Sequence, residues 1–170
     1  GLVSAPDPIA EITEWFTAAV PTHWFVAPIS VRVDREEILV VGALGDTSPP
    51  AVGGIDAGAI DAFREITRPD RVAIAQAAEQ RFARKVSWGV EVAGRELLFS
   101  HTNVPVMTRL RMSERSVLDT LIDAGIARSR SEALAWCVRL VGRHESDWIE
   151  QLRVALAQVE QVRRSGPDVC

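Results

Sequence analysis

The chain has 170 residues, of which 47% are hydrophobic and 25% charged, proportions that are typical of a folded globular protein. Its 23 acidic and 19 basic residues give a formal net charge of −4. This charge excludes a protein that coats nucleic acid with an overall basic surface, although a local basic patch is still allowed. Lys85 is the single lysine among the basic residues, and the arginine guanidinium suits carboxylates and phosphates.

Cysteine and membrane signals are absent from the sequence. Cys137 and Cys170 lie in no CxxC or Cys/His motif, so neither a disulfide framework nor a zinc site is predicted. No apolar run approaches the roughly 20 residues of a membrane span, and the first residues lack the basic region of a secretory signal. We therefore expect a cytoplasmic protein with no cofactor and no membrane contact.

The N-terminal part of the chain predicts a mixed domain. Residues 1–8 are expected to form a flexible lead-in, and residues 9–103 an α+β domain in the order α-β-β-α-α-β-β. Pro69 is expected to separate the two middle helices, because proline donates no backbone hydrogen bond, and Asp70 to cap the second. The predicted elements are a helix over 9–20, a hairpin over 29–44, a long loop over 45–58, helices over 59–67 and 70–85, and a hairpin over 86–100.

This domain contains no recognisable catalytic motif. His23 and His101 are far apart in sequence, and no nucleophile with a base, phosphate loop or metal-ligand spacing is present. The sequence therefore predicts that the protein is not an enzyme. It leaves open whether residues 9–103 mediate assembly or bind a protein or small-molecule partner.

The C-terminal part has a different pattern, which predicts a unit over 104–144 followed by an amphipathic helix over 145–165. Gly125 is expected to end the first helix of the unit. The last helix has apolar residues at heptad spacing, which fits a short coiled coil or packing on its own domain equally well. The predicted elements are a strand over 106–112 and helices over 114–124, 129–143 and 146–164.

Residues 106–143 read VMTRLRMSERSVLDTLIDAGIARSRSEALAWCVRLVGR. Three features stand out: Met112-Ser113-Glu114 at the end of the strand, Gly125-Ile126 after the first helix, and Ser129-Arg130-Ser131-Glu132-Ala133 at the start of the second. On these features the segment resembles the ribbon-helix-helix family of DNA-binding proteins. The resemblance implies a homodimer in which two copies of the strand form an antiparallel ribbon that enters the major groove of double-stranded DNA. It implies base contacts by Met107, Arg109 and Arg111.

A second type of contact is predicted at the start of the helix over 129–143. Ser129 can cap this helix while Glu132 reaches back to the cap. The free amides of the first helical turn attract anions. Arg128, Ser129, Arg130 and Ser131 are therefore the predicted phosphate-contacting residues, although the same box caps many helices that never meet a phosphate.

The distribution of charge agrees with a local basic patch in the segment that is predicted to contact DNA. Residues 105–143 contain seven arginines and four acidic residues, whereas residues 1–104 contain nine basic and fourteen acidic residues. We therefore expect a dimeric, sequence-specific DNA-binding protein, a transcriptional regulator. The alternative is a protein-interaction or assembly factor, antitoxin-like or a scaffold, that uses the ribbon-helix-helix unit only to dimerise.

Overall fold

The computed structural model describes residues 7–45 and 57–167. The described residues divide into two compact units, one over 7–105 and one from Val106 onward. Helices and strands are both present, so the predicted α+β class is confirmed. The elements are α1 (Pro8–Ala19), β1 (Ser30–Val33), β2 (Glu37–Ala43), α2 (Ala57–Phe82), β3 (Lys85–Val92), β4 (Arg95–Leu98), α3 (Met112–Asp123), α4 (Arg130–His144) and α5 (Ser146–Ser165).

The sheet of the N-terminal unit has the strand order β1-β2-β3-β4. The outer pairs β1–β2 and β3–β4 are antiparallel, which confirms both predicted hairpins. The central strands β2 and β3 run parallel, with Val40 opposite Trp88. Parallel neighbours need a crossover connection, which α2 supplies between them.

The core of this unit lies between the two central strands and the helices. Ile12 and Phe16 come from α1, Val40 from β2, and Trp88 from β3, and all are buried. The Phe16 and Trp88 rings meet edge to face with centroids 6.2 Å apart, an arrangement that adds to the free energy of burial. Aromatic packing therefore fixes α1 against the sheet.

Two predicted boundaries in the N-terminal unit change. Asp7 accepts a hydrogen bond from the N–H of Ile9 at 3.1 Å, and α1 begins at Pro8. The prediction of a flexible lead-in over 1–8 is therefore wrong at Pro8, which is helical. Asp7 caps the helix, and proline is favourable at the first helical position. Residues 1–6 and 46–56, which hold the rest of that lead-in and most of the predicted loop, lie outside the described residues.

The prediction of two middle helices separated by Pro69 is wrong, because α2 continues through Pro69. Side chains bind the carbonyls of the preceding turn: the Thr67 hydroxyl donates to the carbonyl of Phe63 at 2.7 Å, and Arg71 Nη2 donates to that of Arg64 at 2.7 Å. The proline removes only one intrahelical donor, the one that would meet the carbonyl four residues earlier, and the helix continues on both sides of it. Asp70 is therefore an interior helix residue and not an N-cap.

The predicted strand over 106–112 is absent from the single chain. Residues 100–111 form neither helix nor strand, and Met112 is the first residue of α3. A strand needs a partner for its backbone groups, and the described chain offers none to this segment. No helix among the described residues is long and apolar enough to cross a membrane.

The three C-terminal helices lie close to their predicted bounds. Gly125 follows α3 with a φ of +76°. The N–H of Ile126 donates to the carbonyl of Leu121 at 2.9 Å, and that of Gly125 to the carbonyl of Ile122 at 3.0 Å. This pair of bonds is a Schellman motif, so the predicted stop at Gly125 is confirmed.

Removing the Phe16 side chain tests the role of the aromatic core. We expect Phe16→Ala to lower the free energy of unfolding of the N-terminal unit by about 3–5 kcal/mol, because it leaves a cavity beside Trp88. Urea unfolding followed by tryptophan fluorescence measures this loss. Ile9→Ala on the same helix is the control, because Ile9 is half exposed; an equal loss in both variants would contradict the assignment.

Candidate nucleic-acid interface

A small apolar cluster holds α3 and α4 together. Leu118 of α3, Ala127 of the turn and Ala133 of α4 are buried. The half-buried residues packed against them are Leu110, Leu121, Ile122, Leu134 and Cys137. Cys137 is therefore a packing residue of this cluster.

Polar contacts hold the end of the preceding segment onto α3. The N–H of Arg111 donates to Glu114 Oε2 at 2.7 Å, and Arg115 Nη1 donates to the carbonyl of Leu110 at 2.6 Å. Both contacts lie within the first turn of α3, where backbone donors lack helical partners. The sequence does not predict this role of Arg115, because its acceptor is a backbone atom.

The segment that precedes α3 exposes its backbone and its arginines. The N–H groups of residues 106–110 have no hydrogen-bond acceptor among the described residues. The Met107 side chain is 97% exposed, and Arg109 and Arg111 are exposed and have no carboxylate partner in the part of the chain that the structure describes. The three predicted base-contacting residues therefore share one accessible segment.

The predicted cap of α4 is present. Ser129 Oγ accepts the N–H of Glu132 at 3.1 Å. Glu132 Oε2 accepts the N–H of Arg128 at 2.8 Å, whereas the prediction places this bond at the cap residue Ser129. Hydrogen bonds from the backbone and the side chain of Arg128 hold the pKa of the Glu132 carboxyl below its usual range. The amides of Arg130 and Ser131 keep no acceptor among the described residues.

Arg130 forms a two-pronged ion pair with Asp119 of α3. Its Nε lies 2.9 Å from Asp119 Oδ1 and its Nη2 lies 2.9 Å from Oδ2. The Arg130 hydrogen bond holds the pKa of the Asp119 carboxyl below its usual range. The pair joins α3 to the first turn of α4 and leaves Nη1 of Arg130 outside the fork.

The C-terminal helices expose many apolar side chains. On α3 and α4 these include Met112, Val117, Val138 and Val141, each at least half exposed. None of the residues of α5 is buried, although its heptad positions are apolar. Exposed apolar side chains therefore occur on all three helices of this unit.

The fold and this surface define a two-part protein, an α+β unit followed by a helical unit with an arginine-bearing segment before its first helix. Residues 10–98 match the family described as Rv1265-like protein, N-terminal domain, and residues 111–163 match the Mb1296 C-terminal domain. The chain belongs to the Rv1265-like family. No ribbon-helix-helix family is among the matched families, so that resemblance stays a prediction.

Similar curated proteins come from mycobacteria. Uncharacterized protein Rv1265 of Mycobacterium tuberculosis and uncharacterized protein Mb1296 of Mycobacterium bovis are each 53% identical to this chain over 158 residues. The match covers 92% of this chain and 70% of each relative. No solved structure matches the chain.

The Asp119–Arg130 pair predicts a pH dependence of the helical unit. Because the Asp119 pKa is lowered in the folded state, its stabilisation is present above the ordinary carboxyl pKa of about 4 and is lost as the pH falls through the lower folded value. We expect Asp119→Asn to lower the melting temperature at pH 7 and to have a smaller effect at pH 3. Asp123→Asn, at the end of the same helix, is the control, and an equal loss at both pH values would contradict this role.

Proposed function

We propose that the chain is a homodimer that binds double-stranded DNA with a two-stranded ribbon built from residues 106–111 of each copy. The observation that carries this proposal is the run of backbone N–H groups at residues 106–110 that have no acceptor among the described residues. A second copy of the same segment, running antiparallel, would supply their acceptors. The corresponding role is that of a transcriptional regulator, which is the role that the sequence suggests.

The exposed apolar residues of the helical unit support the dimer. Val138 and Val141 lie on α4 with their side chains more than half exposed. Burial of their exposed apolar area would contribute about 25 cal/mol per Å², and the pairing of two ribbons brings two copies of the helical unit together. Dimerisation would therefore satisfy the backbone of the segment and the apolar surface of the helices at once.

The arginines support DNA as the ligand. Arg109 and Arg111 are two residues apart and would project from the same face of a strand. A two-stranded ribbon fits the major groove, where an arginine can donate two hydrogen bonds to guanine. Four such guanidinium groups, two from each copy, would occupy the outer face of the ribbon.

The start of α4 supports a phosphate contact beside the groove. The amides of Arg130 and Ser131 have no acceptor in the described part of the chain, and the Arg128 side chain is 94% exposed. A helix N-terminus with open amides favours a phosphate group. Such a contact would set the position of the ribbon on DNA without reading the sequence.

The exposed α5 helix favours a second candidate function, a protein-interaction or assembly factor in which the ribbon only dimerises. Trp148, Leu152, Val159 and Val162 are exposed on this helix, which would suit a protein partner. The two functions share the dimer and differ in whether it binds DNA.

Removing the ribbon arginines tests the DNA proposal. We expect Arg109→Ala combined with Arg111→Ala to weaken binding to genomic fragments by at least about a hundredfold, because each base contact contributes about 1–3 kcal/mol. The slope of log affinity against log salt should also become shallower. Fluorescence anisotropy between 50 and 200 mM salt measures both quantities.

The matched control is Arg163→Ala combined with Arg164→Ala, which removes the same charge from α5. We expect this variant to bind DNA nearly as the unmodified chain does. Equal losses in the two variants, or no loss in the ribbon variant, would contradict the ribbon proposal. A dimer that binds no DNA would instead favour the interaction factor.

A further inference from the structure

Three arginines lie on one face of α2 in the N-terminal unit. Arg64, Arg68 and Arg71 are separated by four and three residues, the spacing of neighbours on a helix surface. Like charges at this spacing repel each other. The arrangement therefore costs folding free energy unless something compensates for the charge.

Arg71 is held in place by the helix itself. It is 9% exposed, its Nε donates to the Thr67 hydroxyl at 3.0 Å, and its Nη2 donates to the carbonyl of Arg64 at 2.7 Å. Its Nη1 has no hydrogen-bond acceptor among the described residues and is not a buried atom. A donor fixed in this way can bind a ligand with little loss of side-chain entropy.

An aromatic ring forms one wall of the cluster. The guanidinium carbons of Arg64 and Arg71 lie 5.4 and 5.0 Å from the centroid of Phe99. Arg64 Nη2 also donates to the carbonyl of Phe99 at 3.1 Å. The ring attracts the two cations but does not neutralise them.

No carboxylate among the described residues pairs with these three arginines. Burial and the charges of Arg64 and Arg68 lower the pKa of the Arg71 guanidinium. Arg81 of the same helix offers a contrast, since it lies over Phe82 and also pairs with Glu11 Oε1 at 3.1 Å. Arg81 therefore has a carboxylate partner on α1, whereas the other three arginines have none in the part of the chain that the structure describes.

We propose that Arg64, Arg68 and Arg71 form a binding site for a small multivalent oxyanion that carries phosphate or carboxylate groups. Guanidinium groups match both kinds of group with paired hydrogen bonds. The helix rises about 10 Å between Arg64 and Arg71. An anion a few ångströms long can therefore contact more than one of the three arginines. The N-terminal unit therefore binds an acidic small molecule, independently of any DNA contact by the C-terminal unit.

Calorimetric titration of the full chain tests this site with pyrophosphate and, separately, with citrate, in low-chloride buffer. We expect saturable binding of at least one ion at one site per chain. Arg68→Gln should weaken it about tenfold or more, because it removes a charged donor. The Arg68 side chain makes no hydrogen bond to another described residue, so this variant is expected to fold normally, as melting temperature will verify.

Arg64→Gln is the second variant, and Arg81→Gln is the matched control that should bind as the unmodified chain does. Binding of pyrophosphate alone assigns a phosphate ligand, and binding of both ions assigns a general oxyanion. Unchanged binding in both Arg64→Gln and Arg68→Gln, or no saturable heat with either ion, overturns the proposal. Loss of binding in the Arg109→Ala and Arg111→Ala variant instead would place the anion on the C-terminal unit and also overturn it.

Discussion

The backbone of an extended segment must find hydrogen-bond partners, and this constraint governs the C-terminal unit. Residues 106–110 donate no hydrogen bond from their N–H groups within the described chain. Glu114 and Arg115 nevertheless fix the end of the segment on α3, so its direction is set before any partner arrives. A second copy that pairs with the segment would provide its acceptors and would align four arginines on one face.

The arginines of the two units have different environments, and the difference suggests different ligands. Arg109 and Arg111 are exposed on an extended segment, where they can follow a groove. Arg64 and Arg71 both lie over the Phe99 ring, Arg64 donates to the Phe99 carbonyl and Arg71 to the Arg64 carbonyl, and this fixed arrangement suits a small anion of fixed shape. The net charge of −4 conceals both clusters, because most of the acidic residues lie elsewhere in the N-terminal unit.

Local patterns predicted those parts of the structure that depend on local interactions. Both hairpins follow from alternating apolar residues, and the ends of α3 and α4 follow from Gly125 and Ser129. The continuity of α2 could not be predicted, because proline interrupts most helices and no local pattern marks Pro69 as an exception. The Asp119–Arg130 pair joins residues eleven apart on two helices. The spacing of Arg64, Arg68 and Arg71 is visible in the sequence, but only the structure shows that no carboxylate among the described residues pairs with them.

Cysteine cross-linking across the ribbon tests the central claim most directly. In a background carrying Cys137→Ala and Cys170→Ser, single cysteines are placed at positions 107 to 111 in turn, with Ser116→Cys as the control. An antiparallel ribbon brings one of these positions within about 5 Å of its own copy, a distance at which a disulfide forms. We predict a covalent dimer that peaks at one position of the segment and is absent at position 116. The absence of a covalent dimer at every position of the segment would contradict the ribbon.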